Sequence, residues 1–155
     1  MNITAYITAG GKSKRFKQDK SLYLFEGKPL IQHVADIIKP IFNDIKIISN
    51  DAEKYEFLGF ETINDIIKDI GPIGGLHSAL TQCPTERIFI FPCDMPYLNR
   101  EFINYMISLP EDYDVIIPTV GSYYEPLHTI YKKTCLPFIQ ELINNKEYQI
   151  YQFFE

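Results

Sequence analysis

Three loops hold the residues whose types and spacing suit chemistry. In the first, an apolar run from Ile3 to Ala9 stops at Gly10-Gly11. Lys12, Lys14, Arg15 and Lys17 follow, and Asp19-Lys20 closes the segment. Glycine lets backbone N–H groups approach an anion closely and the cations neutralise its charge, so this loop suits phosphates. Its plainer reading is a basic surface loop. In the second, Asp94 follows the apolar run Ile88-Phe89-Ile90-Phe91 and stands between Pro92 and Pro96. The prolines stiffen the backbone and withhold N–H donors. A carboxylate there, near a phosphate loop, suits Mg²⁺, which shares hard oxygen ligands between carboxylate, phosphate and water. Its plainer reading is a cap on the next turn. The third loop, Gly71-Pro72-Ile73-Gly74-Gly75, offers a close-approach backbone at a helix N-terminus, where the dipole favours an anion or a hydrogen-bonding base. A turn with packing needs only would also use these residues.

Two further positions belong with these loops. Lys20 is a compact point charge able to follow charge developing on a transferred phosphate, although most lysines are simply solvated. Asp19 could pair with it or hold Arg15. Asp65, with Asp69 four residues on, could accept hydrogen bonds from a guanine N1–H and amino group, or be one of two ordinary loop carboxylates.

Other residue types point away from chemistry. His33, His77 and His128 have no metal-like partner at useful spacing. Cys93 adjoins Asp94 but has no evident base, which argues against a nucleophile. The cysteines Cys83, Cys93 and Cys135 are odd in number, form no CxxC, and fit reduced thiols in a cytoplasmic protein. There is no GxxxxGK[ST] and no GxGxxG. The net charge of −5 argues against nucleic acid as a partner and makes the basic loop a local exception suited to a small anion. The N-terminal apolar run lacks the basic residues of a signal peptide, and no stretch approaches the roughly twenty apolar residues of a membrane span.

The elements that must position these loops follow from periodicity. Ile3 to Ile7, Ile45 to Ser49, Arg87 to Phe91 and Val115 to Ile117 predict core strands, with a brief one over Phe60 to Ile63. Leu22 to Phe25 reads as extended, followed by a turn at Gly27 and Pro29. The apolar stripe Leu30, Ile31, Val34, Ile37, Ile38 predicts a helix that Pro40 limits. Asn50-Asp51 should cap a short helix over Ala52 to Leu58, and Asn99 one holding Phe102, Ile103, Met106 and Ile107. Further helices are predicted from about Leu76 to Gln82 and from Phe138 to Ile143. Gly121 to Glu125 reads as a loop, Pro126 to Tyr131 as extended, and Tyr148 to Glu155 as a short helix. With 155 residues, 46% hydrophobic and 23% charged, the chain fits one domain, residues 1–155. Strands alternating with helices predict an α/β, three-layer Rossmann-like domain with a mostly parallel sheet. Ligands of such sheets sit beyond the carboxyl ends of the strands, which is where Gly10-Gly11, Asp65 and Asp94 fall.

The order TAGGKSKRF…DK, EGKPLIQHV, GPIGG, PCDMP and EPLHTIY resembles the molybdenum cofactor guanylyltransferases, within the wider α/β nucleotidyltransferases, over nearly the whole chain. The resemblance implies transfer of GMP from GTP to the phosphate of molybdenum-bearing molybdopterin, with release of pyrophosphate and with Mg²⁺ as cofactor. It implies molybdoenzyme apoproteins or their chaperones as receiving partners. Carried over residue by residue, Thr8-Ala9-Gly10-Gly11 would wrap the nucleotide phosphates and part of the base, and Arg15 and Lys20 would lie on phosphates. Asp65 would contact the nucleotide, Gly71 to Gly75 would lie near the guanine, and Asp94 would ligate magnesium. On this reading Arg15, Lys20 and Asp94 are catalytic.

The chain also departs from the family pattern. Thr8 stands for the usual leucine and Phe16-Lys17 for Met-Gly. The Asp65–Gly71 spacing is a residue short, so that Asp69 competes with Asp65. The family usually continues past the segment resembling Glu147 to Phe154, with an Asn-x-Asn-Thr run that helps complete the site. The alternatives are a cytidylyl- or sugar-phosphate nucleotidyltransferase, or a nucleotide-binding protein without catalysis.

Overall fold

The structure, a computed structural model, describes residues 2–10 and 19–154. In chain order it contains β1 (Ile3–Thr8), β2 (Leu24–Phe25), β3 (Lys28–Pro29), α1 (Leu30–Ile38), β4 (Ile45–Ile48) and β5 (Glu61–Ile63). Then come α2 (Pro72–Gln82), β6 (Arg87–Pro92), α3 (Arg100–Ser108), β7 (Val115–Ile116), β8 (Thr119–Val120), β9 (Tyr123–Tyr124), β10 (Thr129–Lys132) and α4 (Leu136–Asn144). Short 3₁₀ helices cover Lys20–Leu22, Ala52–Leu58, Lys133–Cys135 and Ile150–Phe154.

Six strands form the central sheet in the order β5-β4-β1-β6-β10-β7. The β5–β4, β4–β1 and β1–β6 pairs are parallel, with Ala5 opposite both Ile45 and Phe89. The β10 strand pairs antiparallel with β6 and β7. The expected mostly parallel α/β sheet is therefore present, with one reversed strand inside it. A hairpin of β8 and β9 occupies the segment expected to be a loop.

Alternating side chains divide the strands between two cores. Ile3, Ala5, Ile7, Ile45, Ile47, Phe89 and Phe91 face α1 and α3, meeting Ile31, Val34, Ile38, Ile103 and Met106. Tyr6, Ile48, Ile63, Ile88, Ile90 and Tyr131 face α2 and α4, meeting Ile73, Leu76, Leu80, Ile139 and Ile143. Strands covered on both faces read as continuous apolar runs. Each fully buried aliphatic side chain contributes about 1.5–3 kcal/mol. Phe89 and Phe91 stack at 4.2 Å between ring centroids, and Phe42 meets both edge-on.

Two further elements differ from the sequence expectation. The α2 helix begins at Pro72, four residues before Leu76, so Gly74 and Gly75 lie inside its first turns. Glycine in a helix costs roughly 1 kcal/mol against alanine, and close packing offsets it. A Cβ on Gly74 would stand 2.8 Å from the Ile67 carbonyl oxygen and 3.0 Å from Ile70 Cγ1. The Ala52–Leu58 helix is 3₁₀, and the Asp51 side chain makes no cap bond to it. Asp51 instead pairs with Lys54 at 3.0 Å, and Asn50 is committed to the neighbouring strand's loop.

Candidate nucleotide site

Parallel pairing puts the carboxyl ends of β1, β4, β5 and β6 on one edge of the sheet. The loops carrying Gly10, Asn50, Asp65 and Asp94 therefore lie along that edge. Gly11 and Arg15 lie outside the described residues. Thr8 anchors the end of β1, its Oγ1 donating to the Phe91 carbonyl at 3.3 Å, and buried Ala9 donates its N–H to the Ile48 carbonyl at 2.9 Å. Gly10 then turns outward at φ +117°, a conformation that L side chains rarely adopt, and a Cβ there would meet Ser49 Oγ at 3.4 Å.

One part of this edge is built from two loops and a helix start. Asn50 Nδ2 donates to Asp65 Oδ2 at 3.3 Å, and the Asp65 N–H donates to Asn50 Oδ1 at 3.0 Å. Asp65 Oδ1 is buried and has no hydrogen-bond partner among the described residues. It lies 3.8 Å from the position a Cβ on Gly75 would take. Burial raises the Asp65 pKa, while the bond from Asn50 and the nearby Lys68 oppose that shift. A buried carboxylate oxygen without a donor is costly unless something supplies one. Ser78 Oγ closes the turn below, accepting from the Ile66 N–H at 2.8 Å and donating to the Gly74 carbonyl at 2.8 Å. Gly71, with φ +78°, caps α2, whereas Gly74 is buried beneath Ile67 and Ile70. Asp69 is exposed and carries a left-handed backbone at φ +63°; it does not share the Asn50 contact that fixes Asp65.

A second group of residues comprises Lys20, Asp94 and a network around Asp19. Asp19 Oδ1 accepts from the Ser21 N–H at 3.1 Å and from the Ser21 hydroxyl. Its Oδ2 accepts from Tyr55 Oη at 2.9 Å, and Tyr55 Oη also meets Ser21 Oγ at 2.8 Å. Both Asp19 oxygens are thus engaged within the protein, so Asp19 caps the turn that begins at Lys20. The Cys93 thiol feels the charges of Asp94, Asp19 and Lys20. Burial pushes its pKa up to about 12, the charges of Asp94 and Asp19 add to the rise, and Lys20 opposes it. A thiol so held stays protonated near neutral pH and is no nucleophile. Phe25 of the β2–β3 hairpin meets Tyr97 of the Asp94 loop edge-on at 5.6 Å, so the chain after Lys20 and the chain after Asp94 are tied together.

Asp94 is exposed at the end of β6. Among the described residues no group of three His, Cys, Asp or Glu could hold a metal by itself. One open carboxylate fits an ion that arrives with phosphates and keeps water, which is how Mg²⁺ is usually held. The histidines stand apart from these groups. His77 is buried and bonds Gln140 of α4 through Nε2 at 2.8 Å, and His33 Nε2 meets the Phe25 carbonyl at 2.6 Å. His128 is buried among Phe89, Phe91 and Phe102. Sequence reading did not single out Tyr55, Ser21 or the Asn50–Asp65 pair as site-building contacts. A tyrosine flanked by charged residues in a short helix looks like surface until the turn buries it.

The model of the MobA-like NTP transferase domain matches residues 5–154. A relative from Clostridium perfringens strain 13, named "Probable molybdenum cofactor guanylyltransferase", is 37% identical over 144 residues, covering 92% of this chain and 72% of its own. One of the same name from Flavobacterium johnsoniae is 38% identical over 146 residues, covering 94% and 76%. A crystal structure from Aquifex aeolicus VF5 superposes with a TM-score of 0.83 at 32% identity, covering 98% of this chain and 80% of that one. At 23% identity, molybdopterin-guanine dinucleotide biosynthesis protein A from Archaeoglobus fulgidus shares the fold, with a TM-score of 0.78 and coverage of 97% and 78%.

The fold is that of an α/β nucleotidyltransferase. The chain belongs to the MobA-like NTP transferase family, as its motifs implied. No helix among the described residues is long and apolar enough to cross a membrane.

Proposed function

We propose that this chain transfers GMP from GTP to molybdenum-bearing molybdopterin in molybdenum cofactor biosynthesis. The observation that carries the reading is Asp65. One of its oxygens is held by Asn50, and the other is buried beside Gly75 without a donor among the described residues. A guanine presents two adjacent donors, N1–H and the 2-amino group, to such an acceptor, whereas cytosine presents one amino group beside acceptors. The names of the 31–38% identical relatives support the same substrate.

In the proposed step a phosphate oxygen of molybdopterin attacks the α-phosphorus of GTP. The new P–O bond forms as the α–β bridge breaks, and the electron pair leaves with pyrophosphate. The attacking phosphate is already an anion near neutral pH, so no protein base is required. Such transfers depend mainly on positioning and charge neutralisation. Gly10 and Gly11 receive the phosphates. Lys20 and Arg15 balance charge on the departing pyrophosphate. Asp94 would hold Mg²⁺, which neutralises phosphate charge when bound. The cytoplasm is the compartment proposed, and molybdoenzyme apoproteins or their chaperones receive the product.

Pyrophosphate release with GTP and with CTP, each with molybdopterin and Mg²⁺, tests the substrate. Release with GTP at least tenfold above CTP is expected; the reverse preference would overturn the guanine assignment.

A further inference from the structure

We propose that Tyr55 is a positioning residue for nucleotidyl transfer, acting through Asp19 on Lys20; this rests on the transfer reading above. Tyr55 is fully buried, yet it belongs to the short 3₁₀ helix Ala52–Leu58 and stands thirty-six residues from Asp19. Its hydroxyl donates to Asp19 Oδ2 at 2.9 Å and meets Ser21 Oγ at 2.8 Å. Ser21, itself buried, binds Asp19 Oδ1 through its N–H at 3.1 Å and through its hydroxyl. Lys54 Nζ lies 3.9 Å from Asp19 Oδ2. Lys20 sits between the two residues so held, as the first residue of the turn that Asp19 caps. The Leu22 N–H to Asp19 carbonyl and Tyr23 N–H to Lys20 carbonyl bonds, both 3.2 Å, complete that turn.

The network joins the chain leaving the phosphate loop to the segment after β4. Packing alone would be met by a phenylalanine at this site. A hydroxyl placed against a carboxylate in the interior is instead a geometric constraint, because a satisfied buried network admits few arrangements. What it constrains is the backbone that carries Lys20. A displacement of about 1 Å in a charge-balancing group can cost on the order of a hundredfold in rate.

The test is a double-mutant cycle on the full chain, with GTP, molybdopterin and MgCl₂ and with pyrophosphate release as readout. Tyr55→Phe should lower kcat about tenfold with KM for GTP changed less than about twofold, the mark of an interaction made in the transition state. In the Lys20→Ala background the same change should have little further effect, since residues that act as a unit are not additive. Thermal melts accompany each variant, and Asp19→Asn replaces Tyr55→Phe in the cycle if the latter does not fold. Unchanged kcat in the folded variant would overturn the assignment, as would an equal loss in both backgrounds, which marks a merely structural role. Absence of release by the wild-type chain overturns the transfer reading and this proposal together. Release by wild type with an additive cycle overturns this proposal alone.

Discussion

Asn50 and Asp65 hold each other across the carboxyl edge of the sheet, side chain to side chain at 3.3 Å and backbone N–H to side chain at 3.0 Å. The pair joins the loop after β4 to the loop after β5 and leaves Asp65 Oδ1 buried and unpartnered among the described residues. Burial raises the Asp65 pKa, so its ionised form costs folding energy above the folded-state pKa, and that cost is relieved as pH falls. Asp65→Asn should therefore leave the free protein at least as stable at pH 7 while weakening GTP binding tenfold or more. Calorimetric titration with GTP beside urea denaturation checks both. A variant that binds GTP as wild type does would contradict the guanine assignment.

Asp94→Ala should abolish Mg²⁺-dependent pyrophosphate release and leave the fold intact. The residue is exposed, and surface replacements usually fall within about 0.5 kcal/mol. Equal turnover by variant and wild type would remove Asp94 from the metal role.

His128 sets an acid limit on stability. Burial among Phe89, Phe91 and Phe102 lowers its pKa from 6.5 to about 4. Its folded-state pKa lies below the unfolded value, so the unfolded chain binds the proton first. Stability is full above pH 6.5 and falls as pH drops towards 4, by about 3 kcal/mol from this residue. His128→Phe should flatten that part of the profile, as read by urea midpoints between pH 7 and pH 4. Parallel profiles for the two proteins would contradict it.

Gly74→Ala should destabilise the chain by about 1–3 kcal/mol, because the added methyl must displace the Ile67 carbonyl or Ile70. Thermal melting measures it; an unchanged midpoint would show that the 66–70 loop yields freely.

Much of the fold was legible because the strands are covered on both faces. A continuous apolar run such as Ile88 to Phe91 marks a strand buried on both faces, as in a parallel sheet. The β10 strand was readable only as extended, since direction depends on a partner far along the chain. The start of α2 was misplaced because Gly74 and Gly75 look like a loop by propensity. Their reason lies in Ile67, Ile70, Ile48 and Asp65, which only the fold brings near. At the site, Gly10, Asp65 and Asp94 reach one edge as the strand order required. Asn50 was assigned to a cap and is spent on Asp65, and Tyr55 gave no sign of its bond to Asp19. Both are contacts between distant segments, which local spacing does not encode. Gly11 and Arg15 lie outside the described residues.

The most direct measurement is to follow the label of α-³²P-GTP incubated with the protein, molybdenum-bearing molybdopterin and Mg²⁺. Label is predicted in a pterin–guanine dinucleotide, with pyrophosphate formed in equal amount. Label left in GTP, or recovered only as free GMP, would contradict the account.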